Sequence, residues 1–291
     1  MSLRSQARAF VIHAARLVRA DALAVKAQSR RAQAVVIVMH ETPASFEAKF
    51  HEQLAWALQY FTITSLENLA TFLSGVQKSE PAAKPLLLFT FDDGRESNYT
   101  VAAPLLESFG GRGLFFIVPR FAECASDERA RAFYRSRINP GLKQEEEDAE
   151  DWKPMNPGQI AELASRGHAI GNHTLTHERL VGLSPEHLER EIGDSARKLE
   201  SWTQKPVDAF AWTFGWDAID ARAWNVIRQY HRFCFSPCAG VVDGSSDPML
   251  LWRREVELRY SAAELRFSYS GLVDLWWGTR RRRLREMLQA G

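Results

Sequence analysis

Two pairs of residues in this chain have types and spacings that can do chemistry. Asp92 and Asp93 follow the apolar run Leu86-Leu87-Leu88-Phe89-Thr90-Phe91 without a break, and Gly94 comes next. Two adjacent carboxylates at the end of an apolar strand cost free energy if they are buried without partners, so the pair is a candidate for acid–base or metal work. Asp-Gly is also a common turn step, and the dipeptide alone leaves both readings open. His173 and His177 lie four apart in Gly171-Asn172-His173-Thr174-Leu175-Thr176-His177. That spacing puts both imidazoles on one face if the segment makes a helical turn. The His-Glu-x-x-His pattern of zinc proteases is absent, because Thr174 stands where a carboxylate is required. Two histidines and a carboxylate from elsewhere suit a facial metal site with open positions; two surface histidines beside a turn would show the same spacing. Taken together, the pairs describe a hydrolytic centre. A metal lowers the pKa of a bound water and polarises an amide oxygen, and a second carboxylate takes the water's proton.

The elements that must position these residues alternate along the chain. Apolar, β-rich runs at 34–40, 86–91, 113–118, 168–171, 208–214 and 232–236 read as strands. Helical spacing is seen at 46–60, 65–75, 98–109, 157–166, 185–203 and 218–230. This alternation predicts parallel β/α units. With no internal repeat and no interdomain linker, the 291 residues fit one α/β barrel better than two domains. Chemistry in such barrels gathers at the C-terminal ends of the strands. That rule selects His40, Asp92, Asp93, the segment after residue 171 and the segment near Phe214. Residues 121–154 carry Glu145, Glu146, Glu147, Asp148, Glu150 and Asp151 and read as a long, solvated acidic insert.

Composition narrows the function classes. Hydrophobic residues make up 45% and charged residues 25%, and Lys plus Arg (37) nearly balance Asp plus Glu (36). A net charge of +1 provides no basic field, which argues against nucleic acid as a partner. Cys124, Cys234 and Cys238 are odd in number and lack knuckle spacing, so they read as packing residues. Such cysteine usage fits a reducing compartment.

Here the motifs support a resemblance. Thr90-Phe91-Asp92-Asp93-Gly94 resembles the first motif of the polysaccharide deacetylases, carbohydrate esterase family 4, also called the NodB-homology family. Gly167-His168-Ala169-Ile170 followed by Gly171 to His177 resembles the second, and the order and separation of the two also fit. The resemblance runs from about residue 34 to about 256. It implies a deformed (β/α) barrel with an open groove for a glycan. It also implies Asp92 as catalytic base, with Asp93, His173 and His177 binding one divalent metal, zinc or else cobalt or nickel. The implied activity is removal of N-acetyl groups from amino sugars of a cell-envelope polysaccharide or its lipid-linked precursor.

Two departures from the family pattern matter. No Leu-x-His follows His231, the last histidine. Val38-Met39-His40 instead ends the first strand, as in the envelope-polysaccharide branch, and His40 becomes the candidate general acid; a histidine that merely caps a strand would look the same. Ala211-Trp212-Thr213-Phe214-Gly215 resembles the family's aromatic-Pro-aromatic-Gly segment with Thr213 in place of proline. The Phe214 N–H inherits the implied oxyanion role, on a loop expected to be looser without a fixed φ. Leu251-Trp252-Arg253 resembles a late family segment and makes Arg253 the candidate for the arginine that tunes the base. Two other readings stay in view: a catalytically silent glycan-binding relative, and a hydrolase of small cyclic amides.

The ends of the chain read as helical additions to the 34–256 core. Residues 1–33 form an Arg-rich amphipathic prefix, with Phe10, Val11, Ala14, Leu17 and Val18 on one side. Residues 257–291 form a basic tail with Trp276, Trp277, Arg280 to Arg283 and Arg285. No uninterrupted apolar signal region and no run of 18 apolar residues is present. The expectation is a cytoplasmic protein, with the two ends offering peripheral membrane contact.

Overall fold

In the computed structural model, which describes residues 20–75, 84–141 and 152–290, the apolar runs become short parallel strands. These are β1 (Ala34–Met39), β2 (Thr62–Ile63), β3 (Leu86–Phe91), β4 (Leu114–Ile117), β5 (Ala169–Asn172), β6 (Ala209–Ala211), β7 (Phe233–Ser236), β8 (Leu251–Trp252) and β9 (Arg254–Glu255). The sheet runs β8-β7-β6-β5-β4-β3-β1-β9, with β2 paired separately to β3. Every pairing among these strands is parallel. The two edges, β8 and β9, are almost consecutive in sequence. At Arg253 the chain therefore steps from one edge of the sheet to the other and draws it into a nearly closed barrel, the architecture expected from the alternation.

Strand side chains alternate between two surroundings, as the pleat requires. Ala34, Val36, Leu88, Leu114, Phe116, Ala209, Ala211, Phe233, Phe235 and Leu251 face one another in the barrel interior. Leu66, Leu69, Ala70 and Leu73 of the helix Leu66–Leu73 join this cluster and plug the end where the strands begin. The intervening residues face outward. Val35, Ile37, Met39, Leu87, Phe89, Phe91 and Phe115 pack under the helices Glu47–Ala57 and Ala262–Ser270. Phe210, Cys234 and Trp252 pack under the helices Ala221–Tyr230 and Gly278–Ala290. Both faces of the strands are thus covered, which is why their sequences read as nearly unbroken apolar runs.

One expectation is corrected and one open reading is decided. The stretch 121–154 is not a solvated loop over its described part: Asp127–Phe133 is a helix that continues into a wider turn at Tyr134–Ile138. Val118, Phe121, Ala130, Tyr134, Ile138 and Trp152 form a separate apolar cluster there, so the segment is held by burial of an apolar face. The acidic run from Glu145 to Asp151 lies outside the described residues, as do Phe10 to Val18 of the prefix. Second, His173 to His177 is not a helical turn but irregular chain, with left-handed backbone at Thr174 (φ 62°) and His177 (φ 57°).

Candidate active site and metal centre

The inward phase of the strands continues past their ends and delivers most of the site. Counting by twos from the interior residues gives His40 after β1, Asp92 after β3, His173 after β5, Pro237 after β7 and Arg253 after β8. All of these line one cavity of about 550 Å³ at the C-terminal end of the barrel. Asp93 falls on the outward phase, and a left-handed backbone (φ 72°) turns it inward. Gly94 follows with φ 75°, where a Cβ would press on Ile117 Cδ1 at 3.1 Å. Among the described residues, four of the five non-glycine residues with positive φ are Asp93, Thr174, His177 and Phe214. Such conformations cost free energy and persist where the surroundings over-determine them.

Asp93, His173 and His177 present three buried ligand atoms within 4.8 Å of one another. His177 Nε2 is 3.5 Å and His173 Nε2 3.7 Å from Asp93 Oδ1. The opposite nitrogen of each ring is engaged with backbone. His173 Nδ1 donates to the Ala211 carbonyl at 2.9 Å, and His177 Nδ1 to the Arg137 carbonyl at 2.7 Å. These bonds fix the tautomer, so both Nε2 lone pairs point to the common centre. Burial, only partly offset by Asp93, pushes the His177 pKa down to about 4, leaving a neutral ring able to bind a cation at neutral pH. The set of two imidazoles and one carboxylate fits a zinc-like ion rather than calcium or magnesium.

The loop carrying the histidines is held from below. Asn172 uses its whole amide: Nδ2 donates to the Ile192 carbonyl (2.8 Å) and to His231 Nε2 (3.1 Å), while Oδ1 accepts from Thr174 N–H (3.0 Å) and Ser195 Oγ (2.7 Å). The buried Glu191 carboxylate takes Thr176 N–H (2.9 Å) and Thr176 Oγ1. Gly171 is needed beneath them, since a Cβ there would lie 2.4 Å from the Phe116 ring.

The two aspartates have separate cations. Arg253 grips Asp92 with both terminal nitrogens, Nη1 to Oδ1 at 2.6 Å and Nη2 to Oδ2 at 2.9 Å. Burial would raise the Asp92 pKa; Arg253 and His173 outweigh it and hold the carboxyl below its ordinary value. Arg95 donates to Asp93 Oδ2 at 3.2 Å and to Glu41 at 3.4 Å. Arg95, followed by His177, likewise overcomes burial and depresses Asp93.

His40 lies on another wall. Its Nδ1 is 2.6 Å from Glu257 Oε1, and its side chain is 38% exposed to the cavity. Burial of the rest of the ring disfavours charge, but Glu257, helped by Asp93 and Asp92, raises the pKa from 6.5 to about 10. Phe214 (φ 61°) lines the cavity with its ring centroid 4.7 Å from that of His177. The loop is not slack at Thr213: its hydroxyl donates to the Glu178 carbonyl at 2.8 Å, a tether that proline could not make.

The structure thus brings Asp92, Asp93, His173, His177, His40, Phe214 and Arg253, all candidates from the sequence, around one cavity. It adds Arg95, Glu257, Asn172 and Glu191. Of these, only Arg95 left a sequence signal, a cation two residues after a carboxylate pair. His168, part of the second motif, is absent from the cavity. It accepts Gly113 N–H on Nδ1 and meets Glu107 through Nε2.

Comparison with known proteins bears on this geometry. Residues 79–232 match the family model described as polysaccharide deacetylase. The chain is 24% identical over 169 residues to YxkH of Bacillus subtilis, a protein named for the same family, covering 57% of this chain and 50% of that one. It is 26% identical over 128 residues to the peptidoglycan-N-acetylglucosamine deacetylase of Bacillus cereus, covering 44% and 46%. The chain therefore spans about half the length of the curated relatives it matches. Among solved structures, the Streptococcus pyogenes deacetylase PplD in complex with acetate superposes with a TM-score of 0.60 at 17% identity, over 80% of this chain and 96% of that one. IcaB from Ammonifex degensii gives 0.60 at 18% identity, over 84% and 98%. At these identities the likeness is one of fold.

Proposed function

Since this chain belongs to the polysaccharide deacetylase family, we propose that it is a metal-dependent hydrolase removing N-acetyl groups from amino sugars of a cell-envelope polysaccharide or of its lipid-linked precursor. The observation that carries this reading is the convergence of Asp93, His173 and His177 within 4.8 Å, beside an arginine-gripped Asp92 on the floor of an open cavity. Asp93 Oδ1 and the two Nε2 atoms would hold the ion. When bound, a divalent ion there supplies Lewis-acid polarisation of an amide oxygen and a lowered pKa for water. Asp92, kept ionised by Arg253, accepts the proton of the attacking water. His40, kept protonated by Glu257, gives a proton to the departing nitrogen as the C–N bond breaks. The products are acetate and a free amino sugar. The Phe214 N–H is the donor assigned to the oxyanion.

The test is metal analysis of the purified protein together with acetate release from a panel of N-acetylated oligosaccharides. One equivalent of zinc, cobalt or nickel and metal-dependent acetate release are expected. Protein loaded with metal that releases no acetate from any member of the panel would sink the proposal and favour a silent glycan binder.

We also propose peripheral contact with the cytoplasmic face of a membrane. Leu275 is 78% and Trp276 44% exposed, just ahead of the run Arg280 to Arg283. No helix among the described residues is long and apolar enough to cross a bilayer. Salt-sensitive co-sedimentation with anionic liposomes is expected, each basic residue at the surface contributing about 1 kcal/mol; no binding at low salt would retire the idea.

A further inference from the structure

We propose that Trp277 is a sugar-stacking platform, set into the cavity wall by the C-terminal segment, for the ring next to the acetylated one. The inference rests on the deacetylase reading and assigns the contact with the neighbouring sugar to a residue of the C-terminal segment.

Trp276 and Trp277 are neighbours in sequence but not in role. They end the 3₁₀ stretch Leu272–Trp277, in which successive side chains point about 120° apart. Trp276 is turned outward onto Phe267, with ring centroids 5.4 Å apart. Trp277 is half-buried and lines the cavity with Phe214, Gly215 and Pro237. Its position is braced. The Arg280 guanidinium lies 4.9 Å from the Trp277 ring centroid and 5.6 Å from that of Trp216. Among the described residues Arg280 meets no carboxylate, and its partners are these two indoles. Trp216 directly follows Gly215, so Arg280 fastens the tail to the loop that carries Phe214.

This arrangement leaves part of the indole open to the cavity and holds it there before any ligand arrives. One part of the indole packs against the apolar cluster under β6 to β8, and the rest lines the cavity. A pyranose ring presents an apolar C–H face and a polar hydroxyl edge, and an aromatic side chain with few rotamers takes the apolar face at low entropic cost. The cavity, at about 550 Å³, falls within the range of roughly 300–1,000 Å³ for pockets that bury drug-sized ligands, so it has room beyond a single acetamide.

The experiment uses the full-length, metal-loaded protein. Affinity for an N-acetylhexosamine monosaccharide and trisaccharide is measured by titration calorimetry, and acetate release is followed for both. Trp277→Ala should weaken trisaccharide binding roughly tenfold with a much smaller loss for the monosaccharide; Trp277→Phe should recover most of the loss. Equal trisaccharide affinity in Trp277→Ala and wild type overturns the platform. So does a parallel loss for both sugars with a lowered Tm, which would mark a structural role. If wild-type protein binds neither sugar, the deacetylase reading fails and the platform fails with it.

Discussion

Asp92 and Asp93 share a peptide bond but not a role, because Arg253 and Arg95 divide them. Asp92→Asn should therefore keep the metal and lose activity by about 10²–10⁴-fold, measured as acetate release beside metal content; near-wild-type turnover would remove Asp92 from the mechanism. The His40–Glu257 pair makes a second prediction. Glu257 is the main influence raising the His40 pKa to about 10, and His40 is proposed to act in its protonated form. Glu257→Gln keeps a hydrogen-bond acceptor beside Nδ1 but removes the charge, so the pKa falls toward 6.5 and the acid is lost at lower pH. The alkaline limb of the kcat/KM profile should move to lower pH while the acidic limb stays; an unmoved alkaline limb would disconnect Glu257 from the reaction. The aspartates and histidines were legible in the sequence because carboxylates and imidazoles at strand ends are chemically expensive. Glu257 and Asn172 were not, because what they do is neutralise or hold another side chain, and that depends on which strand lies next to which.

At the scale of elements, long apolar runs and helical spacing located six strands and the main helices to within a few residues. The two-residue strands β2, β8 and β9 were missed, since two residues carry no period. The helical turn left open for His173 to His177 is absent for a physical reason. Thr174 and His177 adopt left-handed φ, and Glu191 and Asn172 satisfy the backbone and side chains that a helix would have paired internally. Thr213 also differs from what its sequence suggested. Loss of proline predicted a looser loop, yet the hydroxyl bond to Glu178 replaces the lost constraint. Thr213→Val keeps shape and removes that bond, at a cost of about 0.5–1.5 kcal/mol. Because Phe214 must be held at φ 61°, the expected outcome is a lower kcat with metal content retained. Unaltered kcat in Thr213→Val would show that the loop is fixed by its packing alone.

At the scale of the whole molecule, the tail read from sequence as a basic appendage is part of the barrel's construction. Arg254, wholly buried, donates to both oxygens of Asp274 (3.0 and 2.7 Å), to the Tyr269 carbonyl (2.9 Å) and to Gln28 Oε1 (3.0 Å). One guanidinium thus joins β9 to the helices Ala20–Gln28 and Ala262–Ser270 and to the stretch that ends in Trp277. Arg254→Leu leaves Asp274 without its cation and should cost about 3–5 kcal/mol, read from denaturant unfolding; Arg254→Leu with Asp274→Leu should recover part of that. An additive double variant would mean that the two side chains are not coupled.

The step of the chain at Arg253 also orders events in time. A ribosome makes Asp92, Asp93, His173 and His177 well before residue 253, and a domain generally folds as a unit. An unfinished chain can thus contain all three proposed metal ligands while its sheet is still open and Asp92 is kept ionised by solvent alone, its arginine not yet made. The residue that joins the two edges of the sheet is the same one that arms the carboxylate. Closure of the circumference and burial of Asp92 are therefore one event: the carboxylate leaves water only where the joining residue brings its counter-charge.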